Sequence, residues 1–505
     1  MSGLDETYSG AYTEFLHEHP DYPSTAQLDA LRATEYHRLD EQRHVYLDYT
    51  GGGLHADSQV LRHAELLNHH VFGNPHSASL TSSGMTTLVE RARAAVLAWF
   101  NATRDYTAIF TANATGALKL VGEAYPFEAG SRFLLTVDNH NSVNGIREFA
   151  RARGAQVIYA PLTTPELRID RERLRADLKV GPYEGGEGEA DLQVRLRNLF
   201  AFPAQSNFSG VQHPLDLVGE AHAHGWDVLL DAAAFVPTHR LDLAAVQADF
   251  VCVSFYKMFG YPTGVGCLLV RNAALERLQR PWFAGGTVNF ATVQGARHIL
   301  AQGEAGFEDG TLNYLGIPAV EIGLRHLSSI GIDTIQTRVR CLTAWLLQRL
   351  MDLRHSNDRP MVRIYGPMTT ASRGGVVTMN FYDPEGHLLD YRRVEELASL
   401  QRISLRTGCF CNPGASEAAE GLTAEDVEAA IEAGGDLNMP RFVQIITHRG
   451  GKSAGAIRAS VGVASNFADV HRFYEFAAGL RDQTRMTMGD VSFDIESCRV
   501  IRDGS

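Results

Sequence analysis

VLLDAAAF (228–235) and VCVSFYKMFGYPTGVG (251–266) decide how this chain is read. The first is an apolar run closed by an acid, Asp231. The second carries Lys257 between a β-branched run and a Pro-Thr-Gly turn. A lysine desolvated at the end of an apolar strand loses basicity and becomes an amine able to form a Schiff base. A carboxylate at the end of a neighbouring strand can hold a protonated pyridine nitrogen. The pair therefore points to pyridoxal 5'-phosphate as cofactor, with Lys257 and Asp231 on its aldehyde and its ring.

Working outward, the short apolar runs AAVLAWF, AIFTA, RFLLTV, AQVIYA, NLFAF, VLLDAAAF, FVCVSF and GCLLV read as strands or helix ends. Between them lie stretches of helical length such as ATGALKLVGEAY and LDLVGEAHAHG. That alternation predicts an α/β fold with a mostly parallel sheet covered on both faces. After about residue 318 the pattern turns to long amphipathic helices (AVEIGLRHLSSIG, IQTRVRCLTAWLLQRLMDL) and separated strands (VRIYG, GVVTMNFY), a smaller α+β domain. The expected division is a helical segment at 1–44 packing on the small domain, a large domain at 45–317 and the small domain at 318–505. The acidic, glycine-rich stretch 181–193 reads as a surface insertion, and 417–452 as a second one ending in a mobile loop.

With 45% hydrophobic and 21% charged residues, the 505-residue chain can bury a sizeable core. A net charge of −13 with scattered basic residues argues against a nucleic-acid groove or an anionic membrane surface. No basic-then-apolar leader opens the sequence and no run of about 18 apolar residues occurs, so a soluble cytoplasmic protein is expected. Six cysteines, at 252, 267, 341, 409, 411 and 498, are too sparse for a disulfide framework. Cys252 and Cys267 sit in strand-like runs and read as core.

Other segments offer chemistry, each with a plainer reading beside it. FTANATGALKL (110–120) reads as strand, turn and a helix opening at Thr115-Gly116: a phosphate cradle, or ordinary N-capping by Thr115. VDNHNSVNG (137–145) puts His140 after a strand, where an open α/β sheet holds its ligands, though surface histidines are common. PAQSNFSG (203–210) offers Gln205, Ser206 and Asn207 as neutral donors to a cofactor oxygen, or simply turn residues. LRTGCFCNPGAS (405–416) exposes two thiols on a turn. A nucleophile or a redox pair fits them. No second Cys or His pair stands at zinc spacing, so no metal is expected. Arg458, in the apolar run GAIRASVGVASN (455–466), needs an anion: a substrate carboxylate, or a buried Asp or Glu.

Taken in order, strand–ATG–helix, the His140 loop, SNFSG, Asp231, Lys257, FEDGT (307–311), RTGCFC and the Arg458 strand resemble the class V aminotransferase-like pyridoxal phosphate enzymes. More narrowly, NPHS (74–77), FPAQSNFSG, SFYKMFGYPTGVG, FEDGT and LRTGCFCN are similar to the amino-terminal sulfurase domain of molybdenum cofactor sulfurases, a branch related to cysteine desulfurases. The resemblance spans about residues 44 to 475 and implies the type I fold of pyridoxal phosphate-dependent transferases. It implies that Lys257 carries the cofactor, Asp231 pairs with its ring nitrogen, His140 stacks on the ring and Ala233 lies beneath it. Ala114, Thr115, Ser254 and Tyr256 would hold the phosphate and Asn207 would sit by the phenolic oxygen. Thr311 would reach the phosphate of the other subunit of a homodimer. Arg458 would take the substrate carboxylate with Arg406 close by, and Cys411 aligns with the nucleophile, Cys409 falling where relatives often carry histidine.

Three features depart from the pattern. Ala234 stands where many relatives have a glutamine that bonds the cofactor oxygen, and Tyr49-Thr50-Gly51 replaces the usual His-Ala-Gly. The sequence given stops at residue 505 without the carboxyl-terminal domain of full-length eukaryotic sulfurases, which leaves the sulfur acceptor open. The expected activity is a cysteine desulfurase-like sulfur transfer: L-cysteine gives L-alanine and a persulfide on Cys411, whose thiolate Arg406 would favour. A C–S lyase, an epimerase or another β-elimination on the same scaffold would make Cys411 dispensable. A non-catalytic sulfur carrier using only Cys409 and Cys411 has no need of Lys257 and Asp231.

Overall fold

The computed structural model describes residues 2–75, 77–179, 196–432, 442, 445–446, 453–489, 492–494 and 499–501. The insertion at 181–193, His76 of NPHS, Cys498 and the 447–452 end of the second insertion lie outside the described residues. Within 417–432, where an insertion was expected, the chain is helical, with helices at Pro413–Glu420 and Ala424–Glu432.

Seven strands build the central sheet: β1 (Tyr106–Thr111), β2 (Arg132–Thr136), β3 (Gln156–Ala160), β4 (Asn198–Pro203), β5 (Trp226–Asp231), β6 (Phe250–Ser254) and β7 (Gly266–Arg271). Their spatial order is β1-β7-β6-β5-β4-β2-β3. Residues 199–202, 228–230 and 251–253 are buried without alternation, as strands covered on both faces must be. From β6 to β3 the neighbours are parallel. β7 runs antiparallel to both β6 and β1. The segment joining β6 to β7 holds only a five-residue helix, Phe255–Phe259, and a turn, too short for the crossover that a parallel neighbour needs. AAVLAWF is not a strand: it closes the helix Leu80–Trp99.

The chain leaves β2 outward to β3 and then returns to the other side of β2 as β4. The loops after β2 and β4 therefore diverge, and a crevice opens at the carboxyl ends of the strands where an α/β sheet takes its ligands.

A second sheet, antiparallel throughout, holds β8 (Val362–Tyr365), β9 (Val376–Phe381), β10 (Arg406–Gly408) and β11 (Ala456–Ser460) in the order β8-β9-β11-β10. The chain just after the N-terminal segment joins the edge of the smaller part of the molecule. Val45–Tyr46 pairs in parallel with Ile403–Ser404, and Asp48 bridges to Ser460.

The N-terminal segment docks on the helices of the C-terminal part. Phe15 stacks on Phe467 at 4.5 Å. The fully buried Arg338, on the helix Ile332–Met351, reaches both carboxylate oxygens of Asp29 (2.7 and 2.8 Å), Thr25 Oγ1 and the Tyr22 hydroxyl, with its guanidinium 4.3 Å from the Tyr22 ring centroid. Asp29 is half-exposed and stays solvated without the arginine, but the buried Tyr22 and Thr25 groups lose a partner. Arg338→Leu is expected to lower the stability of the protein by about 2 kcal/mol, read as a shift of the urea midpoint; a change below about 0.5 kcal/mol would show that this contact does not anchor the segment.

Candidate active site

The carboxyl ends of β2, β4, β5 and β6 and the start of the helix Ala114–Ala124 surround one cavity. Ala114, Thr115, His140, Asn207, Asp231, Ala233, Ser254, Tyr256 and Lys257 all line it. Thr311, Arg406, Cys411 and Arg458 do not; Thr311 lies in an exposed loop, 3.5 Å from Asn74 Nδ2.

Lys257 sits in the five-residue helix after β6. That helix is locked by close backbone contact: Gly53 N–H donates to Tyr256 O at 3.0 Å, and a Cβ on Gly260 would lie 2.1 Å from His55 N. Gly260 also has φ +79°, so glycine is required on both counts. Burial holds Lys257 below the ordinary lysine range; Asp231 opposes the shift, and Arg458 adds to it. Asp231 ends β5, where its Oδ1 accepts the Ala233 N–H at 3.0 Å and the Cys252 thiol at 3.3 Å. Cys252 and Cys267 are buried, and burial pushes both thiols up.

His140 caps the short helix Asn141–Asn144, its Nδ1 accepting the Ser142 N–H at 3.1 Å. Burial pushes it below the ordinary histidine range, with Asp231 opposing and Lys257 and Arg458 adding to the shift, so the ring stays neutral near pH 7. At the helix Ala114–Ala124 the cap is Asn113, whose Oδ1 accepts the Gly116 N–H at 2.9 Å; neither the opening at Thr115-Gly116 nor capping by Thr115 is what forms. The Thr115 hydroxyl instead lies 2.8 Å from Ser142 Oγ. A Cβ on Gly266 would lie 2.4 Å from the Asn113 carbonyl carbon, so β7 presses directly on this helix start. Helix N–H groups with the hydroxyls of Thr115, Ser142 and Ser254 make a phosphate seat. The donor set thus fits pyridoxal phosphate: a phosphate seat, an acid for a ring nitrogen and a lysine of lowered basicity on one cavity. Gln205 Nε2 donates to Ala234 O at 2.9 Å, and both residues line the cavity.

Beside the cavity stands an ion-pair cluster. Arg458, buried, donates from Nη1 to Asn207 O (2.9 Å) and from Nη2 to Asp48 Oδ1 (2.8 Å), while its Nε has no partner among the described residues. Arg406 Nε meets Asp48 Oδ2 at 3.1 Å. Of the two anions open to Arg458, the chain itself supplies one, Asp48, and Arg406 is engaged by the same carboxylate. The cysteine loop runs along the same edge. Cys411 is exposed; Cys409 is partly buried and its thiol is pushed up by that burial. Phe410 and Cys411 have φ of +56° and +54°, two consecutive left-handed residues costing roughly 1–3 kcal/mol each. Asn207 Nδ2 donates to Phe410 O at 2.8 Å, so the amide expected near a cofactor oxygen spends one N–H on this loop.

Sequence reading passed over Asp48, Asn113, Ser142, Cys252 as a partner of Asp231, and Asn412. Asn113, Ser142 and Asn412 stood inside quoted motifs, but only the fold brings them, and Asp48, to their partners.

The Aminotransferase class-V family matches residues 45–473. The chain is similar to the molybdenum cofactor sulfurases of Solanum lycopersicum (37% identical, over 92% of this chain and 59% of the relative) and Arabidopsis thaliana (38%, 91% and 58%). It spans less than two thirds of the length of these relatives. Among solved structures, the apo cysteine desulfurase of Thermococcus onnurineus NA1 has the same fold, with a TM-score of 0.71 and 21% identity over 89% of this chain and 97% of that one.

Lowered basicity of His140 has a signed consequence. The unfolded chain takes up this proton below pH 6.5 while the folded chain resists it, so its contribution to stability is full above about pH 6.5 and falls as the pH drops through the folded pKa. His140→Gln is therefore expected to lose less stability than the wild type between about pH 7.5 and about pH 5. Equal losses in urea titrations at the two pH values would show that the ring is not held neutral.

Proposed function

The chain belongs to the class V aminotransferase family, and on that premise we propose that it is a pyridoxal phosphate-dependent cysteine desulfurase-like sulfurtransferase, taking sulfur from L-cysteine and passing it to an acceptor. The observation that carries this reading is Lys257: partly buried, lowered in basicity by desolvation, and on one cavity with Asp231 and hydroxyls suited to a phosphate. The curated relatives' names and the desulfurase fold support the choice among reactions.

Bound in the cavity, pyridoxal phosphate supplies an electron sink for charge developing at the substrate Cα. Lys257 Nζ, in its amine form, accepts the Cα proton. Arg458, held beside the cavity by Asp48 and Asn207, with Arg406 close by, serves the substrate carboxylate. Cys411 Sγ, as thiolate, attacks the substrate sulfur: an S–S bond forms, the C–S bond breaks, and protonation of the carbon leaves alanine. In sum, L-cysteine and the Cys411 thiol become L-alanine and a Cys411 persulfide. The proposal includes a homodimer in which Thr311 serves the partner's phosphate seat, and keeps residues 45–317 as the cofactor domain and 318–505 as the smaller one. The described helices include none long and apolar enough to cross a membrane.

Incubation of the cofactor-loaded protein with L-cysteine is expected to release alanine and add one sulfur to Cys411 by intact-protein mass. Cys411→Ser is expected to keep the visible absorbance while alanine release falls roughly 10³-fold or more. Pyruvate with ammonia, undiminished in the variant, would replace this reading with a C–S lyase.

A further inference from the structure

The cysteine loop is fastened to the cavity wall by two asparagines, and nothing in the reaction as written requires them. Asn412 is fully buried and all of its amide is in use. Oδ1 caps the helix Pro413–Glu420, accepting the Ala415 N–H at 3.2 Å. Nδ2 donates to Asp138 O at 2.7 Å and to Asn207 Oδ1 at 2.8 Å. Asn207 returns the bond to the loop at Phe410 O, and Asn141 N–H donates to Cys411 O at 2.7 Å. Every anchor belongs to a strand-end loop of the cavity: Asp138 and Asn141 flank His140, and Asn207 lines the cavity itself. Asp138 is in turn fixed by a 2.7 Å contact with His213, both side chains 1% exposed.

The fastened segment contains the two consecutive left-handed residues, Phe410 and Cys411. Such a conformation persists only where its surroundings over-determine it, and here the over-determining bonds are those of Asn412, Asn207 and Asn141. We propose that Asn412 is a positioning residue: with Asn207 it forms an amide latch that holds Cys411 in its left-handed conformation at the rim of the cavity. Arg458 Nη1 rests on Asn207 O, so the latch also joins the carboxylate-recognising arginine to the cysteine loop. The inference rests on Cys411 as the sulfur-accepting thiol, but the latch itself is a property of the folded chain and can be tested without turnover.

Asn412→Ser separates the two duties of the side chain. Serine is a good N-cap, so the helix keeps its start, while no donor remains to reach Asp138 and Asn207. In the cofactor-loaded protein without substrate, amide hydrogen exchange at residues 409–412 is expected to accelerate at least ~10-fold in the variant, with the cofactor absorbance unchanged. With L-cysteine, kcat for alanine release is expected to fall by roughly 10- to 100-fold while KM stays within about twofold. Should Asn412→Ser not fold, Asn412→Asp takes its place, since aspartate keeps the cap and cannot donate. Unchanged exchange in the loop overturns the latch, whatever the activity. Faster exchange with kcat unaltered overturns the positioning role. A wild type that makes no alanine overturns the sulfurtransferase reading and leaves the exchange result to decide the latch.

Discussion

Burial of Lys257 at the end of β6, opposite the acid that ends β5, is the constraint from which the rest of the site follows. A lysine is among the most expensive groups to desolvate, and its pKa falls because the interior disfavours the ammonium. Asp231 limits that fall, and the two can face one cavity only because β5 and β6 are parallel neighbours, Asp231 pairing with Cys252 in register. An antiparallel arrangement would send them to opposite ends of the sheet. The parallel order in turn needs covered faces and hence the unbroken apolar runs of the central strands. Chemistry at the strand ends and apolar sequence within the strands are therefore one requirement.

Much of this was legible because strands that are buried on both faces leave a strong mark in sequence. The runs at 199–202, 228–230 and 251–253 announce themselves by composition, and a charged residue closing such a run can hardly be incidental. AAVLAWF shows where that signal ends: seven apolar letters suit a strand or the closing turns of a helix, and only the continuous helix Leu80–Trp99 decides. The helix start at Asn113, two positions before Thr115, shows a similar uncertainty, for both asparagine and threonine cap helices well and the turn geometry selects between them.

What sequence could not supply was pairing across distance. Arg458 needed an anion, and Asp48 lies 410 residues away. Asn412 read as turn chemistry before Pro-Gly, yet its amide meets Asn207 and Asp138 from far along the chain. Asn207 was visible as a donor near the cavity, but the direction of its amide toward Phe410 depends on where the small sheet sets β10, the strand that delivers the cysteine loop. Long-range polar partners have no periodicity, so no pattern in the chain predicts them.

Asp48 gives the ion-pair cluster a part in tuning the lysine as well as in holding the arginines. Arg458 lowers the basicity of Lys257, and Asp48, the carboxylate Arg458 holds, raises it. Of the two, Arg458 has the larger effect, and burial is the largest cause of the shift. On the proposed reading, a substrate carboxylate taken by Arg458 adds a second negative charge to the cluster. Lys257 then becomes more basic on substrate binding, in the direction that favours taking the Cα proton. Recognition of the carboxylate and readiness of the base are thus joined through one guanidinium, which explains why Arg458 is buried within a strand instead of reaching in from a flexible loop.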